Sequence, residues 1–215
     1  MTHVRHRQLI AATLTAVALV AGCQNGSETS PLSLKGLTET ADGVPDDGAS
    51  TCPLPYDIAE AAKTSGLDGR TGLGPVEDDD TPVATGEGGE RAEPGEPLAE
   101  NPGALVSCTF HIGQDDVHVH TIATRKPNAI NYLAPVISPL TGTSIDESLA
   151  YISQAADAEA GEVDITSSGS VASVRLELDG QGDAALLVGA GQSGDTSLSR
   201  KQLENLTKEL AGQVQ

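Results

Sequence analysis

The sequence predicts an α+β domain in which an antiparallel sheet of about five strands carries helices packed on it. Three observations lead there. Leu105–Ile112 and Val117–Ile122 alternate apolar and polar residues, the period of a half-buried strand. Three more short apolar runs follow at Val163–Ser167, Val171–Leu178 and Ala184–Val188, broken by Ser168-Gly169 and Asp179-Gly180-Gln181-Gly182. Two helix starts are marked by Ser144 with Glu147 and by Ser199 with Gln202, in each case a serine and, three residues on, a side chain able to return its hydrogen bond.

Taken in order, the folded part is expected to begin at Cys52. Pro53 and Pro55 precede a short helix over Tyr56–Ser65, with Ile58, Ala61 and Ala62 on one face and Gly66 as its stop. Residues 77–100 hold nine acids, one Arg and seven Gly or Pro. That composition cannot build a core and predicts a disordered acidic insertion. Asp78-Asp79-Asp80 inside it lacks the Gly and Glu of a calcium loop and reads as a solvated charge run.

The two alternating runs form a hairpin around Gly113-Gln114-Asp115-Asp116, with Phe110 expected opposite Val119 and His111 opposite His118. Pro127, Pro135 and Pro139 make residues 125–143 a loop with one helical turn around Ile130–Ala134. The helix capped by Ser144 is expected to bury Ile145, Leu149, Ile152 and Ala156. In the following meander Val174, Leu176 and Leu178 face inward, Arg175 and Glu177 outward. The last helix lines Leu203, Leu206, Leu210 and Val214 on one face, with Leu198 stapled to Leu203 and Glu204 paired with Lys208.

The beginning of the chain reads as an address. Arg5 and Arg7 precede the apolar run Leu9–Val20, whose twelve residues are too few for a span of roughly 20, so residues 1–22 form a secretory signal that is removed. The run ends in Val20-Ala21-Gly22-Cys23, which resembles the lipobox of bacterial lipoproteins. The resemblance implies that the Cys23 thiol takes a diacylglyceryl group and becomes the new N-terminus, leaving the protein lipid-anchored on the extracytoplasmic face of the cell membrane. Several acyl chains give stable anchoring where one does not. Ordinary secretion is the alternative. Residues 23–51 are polar, rich in Gly, Ser, Thr and Asp, and read as a flexible tether with an r.m.s. reach of roughly 30 Å. Residues 52–215 then form a single domain.

Removing residues 1–22 takes away Arg5 and Arg7 and no acid, so 12 Lys+Arg become 10 against 31 Asp+Glu and the formal charge moves from −19 to −21. Nucleic acid is excluded as a partner, because the only adjacent basic pairs are Arg125-Lys126 and Arg200-Lys201. With Cys23 lipidated, Cys52 and Cys108 remain as an even pair in an oxidising space and are expected to form a disulfide. Free thiols or a metal are the alternatives.

The lipobox, the tether, Cys52-Pro53-Leu54-Pro55 ahead of an Ala-rich helix, and Cys108-Thr109-Phe110 opening a strand resemble small actinobacterial envelope lipoproteins of unknown function. The resemblance implies a PsbP-like α+β sandwich and brings no catalytic residues with it.

The candidate chemistry is sparse. His111, His118 and His120 fall on one outward face of the expected hairpin, where three imidazoles at cross-strand spacing could hold zinc or copper. The alternative is a polar strand face. Gly189-Ala190-Gly191-Gln192-Ser193-Gly194 matches G-x-G-x-x-G after a strand, but the next helix opens only at Ser199 and no second parallel strand follows, so it reads as a strand-to-helix loop. Asn205-Leu206-Thr207 sits inside a helix and carries no glycosylation argument. There is no G-x-S-x-G elbow and no P-loop. The sequence therefore favours a non-enzymatic module without a cofactor, taking an envelope protein or a small ligand as partner. A metal-binding lipoprotein and an acidic accessory subunit of an envelope assembly are the alternatives.

Overall fold

The structure is a computed structural model and describes residues 31–44, 51–73, 83–85 and 97–215. The signal peptide, Cys23 and Asp78-Asp79-Asp80 lie outside these residues.

Every strand pair in the sheet is antiparallel, and the sheet is six strands wide. Its first edge is shared by two short strands, β1 (Thr71–Leu73) and β2 (Val83–Thr85), both paired with β3 (Gly103–Ile112). Next come β4 (Asp115–Thr124), β7 (Asp183–Ala190), β6 (Val171–Leu176) and β5 (Val163–Ile165). The sequence showed five of these. At three residues each, β1 and β2 are too short to display a period, and β2 falls in the segment expected to be a disordered insertion. Residues 97–100 of that segment form a helical turn, α3, with Leu98 buried. Residues 77–82 and 86–96 lie outside the described residues.

Alternation along the strands gives the sheet two apolar faces. On one, Val106, Cys108, Phe110, Val117, Val119, Val174, Leu186 and Val188 pack with α1 (Leu34–Asp42), α2 (Ile58–Thr64) and α6 (Arg200–Gly212). On the other, Ile122, Val171, Ala185 and Leu187 pack with a 3₁₀ turn (Ala129–Leu133), α4 (Ala134–Thr141) and α5 (Ile145–Asp157). The molecule thus has three layers, helices on both sides of a central sheet.

Helix α1 overturns the expected tether. Ser33 caps it by accepting from Gly36 N at 3.0 Å, Leu37 and Ala41 are buried, and Leu32 and Val44 on either side are buried too. The fold therefore includes residues well ahead of Cys52. A nine-residue helix that buries only two of its own residues leaves a mostly polar string, which is why composition alone reads as coil.

The Cys52–Cys108 disulfide joins the segment before α2 to the middle of β3, with Cα atoms 5.3 Å apart. Helix α2 opens at Asp57, whose side chain accepts from Glu60 N, and it buries Ile58, Ala61 and Ala62 as its spacing predicts. Tyr56 beside it is half-buried and shares a hydrogen bond with Thr121 on β4.

The helical turn expected around Ile130–Ala134 is a 3₁₀ turn at Ala129–Leu133, but it runs on into α4 where Pro135 and Pro139 predict a loop. Pro135 lies in the first turn, where its missing N–H would be unpaired in any residue, and Pro139 sits inside a helix only eight residues long. Helix α5 forms behind a complete capping box, in which the Ser144 hydrogen bonds hold the Glu147 carboxyl below its usual range. Its buried face is Ser148, Tyr151, Ile152 and Ala155, rotated from the expected one, so Ile145 and Leu149 are 71% and 52% exposed. Helix α6 has the predicted box, and Leu203, Leu206, Leu210 and Val214 are all buried.

The β3–β4 turn is two residues, Gly113-Gln114, and Gly113 has φ +67°. Thr109 therefore pairs with His118, Phe110 with Val117 and His111 with Asp116. The expected register allows a loop of two or four residues; its partners are displaced by two positions because the two-residue turn is Gly113-Gln114 and not Gln114-Asp115. A shift of two keeps every side chain on its face, so the apolar pattern could not tell the two registers apart.

Candidate functional site

Alternation on β3 and β4 places Ser107, Thr109 and His111 on the same face as Asp116, His118 and His120. This is the face that α4 and α5 cover farther along the sheet. Between the C-terminal end of α4 and the loop after β7 it opens into a cleft of about 270 Å³, lined by Thr109, Asp116, His118, Pro139, Leu140, Gly191, Gln192 and Ser193.

The three histidines share the expected face and do not converge. His120 is only 5% exposed, and its Nδ1 lies 2.8 Å from Ser107 Oγ. His118 stacks on it with ring centroids 6.4 Å apart and an interplanar angle of 9°. His111 stands opposite Gly72 of the edge strand β1, so close that a Cβ at residue 72 would lie 2.8 Å from His111 Cε1. Among the described residues no group of three or more His, Cys, Asp or Glu is placed to hold a metal ion. Of the three, only His118 lines the cleft, with Nδ1 3.5 Å from Thr109 Oγ1.

The G-x-G-x-x-G stretch builds the other wall, and each glycine has a packing reason. A Cβ on Gly189 would lie 2.7 Å from Leu140 Cδ1. One on Gly191 would meet the Asp195 carbonyl oxygen at 1.9 Å, and one on Gly194 the Thr141 carbonyl oxygen at 2.4 Å. These glycines let the loop lie against the end of α4. The helix that follows starts at Arg200, as expected for a strand-to-helix loop and not for a dinucleotide turn.

Between these glycines, Ser193 is held at φ +49°, a left-handed conformation uncommon outside glycine. The surroundings over-determine it. Gln192 N donates to Asp195 O, Asp195 N donates to Gln192 O, Gly194 N donates to Leu140 O at 2.9 Å, and Gly191 N donates to Asp116 O at 2.8 Å. Farther on, the Asp115 carboxylate, 8% exposed, accepts from the Ser197 backbone N–H and hydroxyl. A strained residue that persists because its neighbours fix it is a recurrent mark of ligand clamps.

Chemically the cleft offers one carboxylate, one imidazole, one carboxamide and two hydroxyls against an apolar wall of Pro139 and Leu140. Among the described residues no Lys or Arg lines it. It suits a small polar molecule with hydroxyl or amine groups better than an anion. Apart from His118, the lining residues were not singled out as a site by sequence reasoning. The one available signal was the glycine-rich loop, whose meaning depends on what it packs against.

No protein family, no curated protein and no solved structure matches this chain. Among the described residues no helix is long and apolar enough to cross a membrane.

Proposed function

We propose that the protein is a lipid-anchored extracytoplasmic binding module, non-enzymatic, whose cleft beside His118 takes a small polar, neutral or cationic ligand. The cleft carries this reading: a concave, mostly polar surface with a strained Ser193 at its rim. Binding sites of this kind combine an apolar wall with a few fixed polar groups. A formal charge of −19 for the whole chain favours cations over anions at any such surface. The Val20-Ala21-Gly22-Cys23 lipobox supports the anchor and the compartment, and the Cys52–Cys108 disulfide suits an oxidising space.

Two measurements test it. Mass spectrometry of the protein from its native membrane is expected to show residues 1–22 removed and a diacylglyceryl adduct on Cys23. Titration of the ¹⁵N-labelled mature domain with a monosaccharide, an amino sugar and a diamine is expected to shift the Gln192, Ser193 and His118 amides with at least one probe. Shifts confined to other surfaces, or none in any titration, overturn the assignment of the cleft.

A further inference from the structure

We propose that the pole of the domain formed by the β6–β7 turn faces the membrane and that the cleft opens on the opposite pole. The inference rests on the lipid-anchored reading above, and it follows from how early the chain joins the fold.

Leu32 is 7% exposed within the main core, and its carbonyl oxygen accepts from Asp179 N at 2.7 Å. From that residue on the chain is bound to the domain through α1. Nine residue steps separate Cys23 from Leu32. Fully stretched they reach about 30 Å at most. A domain starting at Cys52 would have hung on a much longer leash and turned freely.

The attachment point is at one end of the sheet. Asp179 belongs to the turn between β6 and β7, where Asp183 begins β7 and pairs with Thr124, the last residue of β4. Asp116 and His118 in the cleft lie eight and six residues back along β4, roughly 20–27 Å at about 3.4 Å per residue. Gly191 and Ser193 follow the far end of β7. An anchor emerging beside Asp179 therefore brings the turn to the headgroups and leaves the cleft a strand length farther out. Exposed residues at that pole include Arg125, Lys126, Glu177 and Asp179.

The experiment uses the full chain, lipidated in a bacterial host and reconstituted into phosphatidylcholine–phosphatidylglycerol vesicles containing a headgroup-nitroxide lipid. A fluorophore is placed at Gln181→Cys in the β6–β7 turn or at Gln114→Cys in the β3–β4 turn, with Glu177→Cys and Gln192→Cys as a second pair. Quenching is expected to be several-fold greater at 181 and 177 than at 114 and 192. Inserting a ten-residue Gly-Ser segment after Gln24 is expected to reduce the difference. Equal quenching at both poles in protein whose mass shows the lipid overturns the orientation alone. A mass without lipid on Cys23 overturns the anchored reading and the orientation with it.

Discussion

Arg175 of β6 and Asp183 of β7 meet with Nη2 2.9 Å from Oδ1, and the second carboxylate oxygen accepts from the Ala129 backbone N–H at 2.8 Å. The guanidinium also donates from Nη1 to the Ala158 carbonyl at the end of α5. Arg175, expected to point outward, thus ties α5, β7 and the 3₁₀ turn together. Asp183 is 6% exposed whereas the Arg175 side chain keeps about a third of its surface. Removing the acid leaves the Ala129 N–H unpaired beside a guanidinium that water partly reaches, while removing the cation leaves a buried carboxylate with the Ala129 N–H as its remaining partner. Asp183→Ala and Arg175→Ala are each expected to lower stability by about 2–4 kcal/mol. Urea unfolding of both and of the double variant checks this; the double is expected to fall short of the sum.

The disulfide closes a sequence separation of 56 residues, for which the chain-entropy relation gives about 4 kcal/mol as an upper figure. The Cys52→Ser/Cys108→Ser variant is expected to fold to the same sheet with a denaturation midpoint lowered accordingly. Circular dichroism with urea titration reads both. Loss of strand signal without denaturant would mean that the bond specifies the fold as well as stabilising it.

The sheet's centre and the last helix were legible because their signals are local. Alternation fixes which side chains of β3 and β4 face the core, and Ser199 with Gln202 fixes where α6 begins. What escaped depends on neighbours far along the chain. Helix α1 is stabilised by burying Leu37 and Ala41 against the sheet, and nothing within Leu34–Asp42 announces that partner. The cleft is less legible still. It exists because α4 ends beside Gly191, Gln192 and Ser193, a meeting set by tertiary packing between segments some fifty residues apart in sequence. The histidines show the opposite error: sharing a face is readable from parity, and converging on one point is not.

The rotated face of α5 separates two readings of one sequence. Ile145 and Leu149 belong to the expected apolar stripe yet stand exposed, whereas Ile152 is 6% exposed. Ile145→Gln and Leu149→Gln are each expected to change stability by no more than about 0.5 kcal/mol. Ile152→Ala should cost about 2–4 kcal/mol through lost burial and a cavity. Chemical denaturation of the three variants decides between the faces.

Tyr56 and Tyr151 give the protein an alkaline limit. Burial raises both hydroxyl pKa values, against the lowering effect of hydrogen bonds with Thr121 and Ser173. The folded state thus holds two protons that the unfolded chain releases near pH 10. Their contribution is complete below that pH and is lost as pH rises above it. The slope approaches about 1.4 kcal/mol per pH unit for each tyrosine. Unfolding free energies measured between pH 9 and 11.5 should show this decline, and Tyr56→Phe or Tyr151→Phe should each remove about half of it.

The loop that walls the cleft yields a paired prediction, because adjacent residues there answer to opposite constraints. Gly194 has φ +85°, and a Cβ on it would press on the Thr141 backbone at 2.4 Å, where no side chain can move aside. Gly194→Ala is expected to cost more than about 1 kcal/mol and to displace the loop from α4. Ser193 carries a Cβ at φ +49° that glycine would not, so Ser193→Gly relieves strain and is expected to leave stability unchanged or raise it by up to about 1 kcal/mol. If the serine is held in that conformation to present its hydroxyl to a ligand, the same variant weakens probe binding in the amide-shift titration while the fold tightens. A glycine variant that binds the probe as well as the parent would reduce Ser193 to a packing accident of the loop.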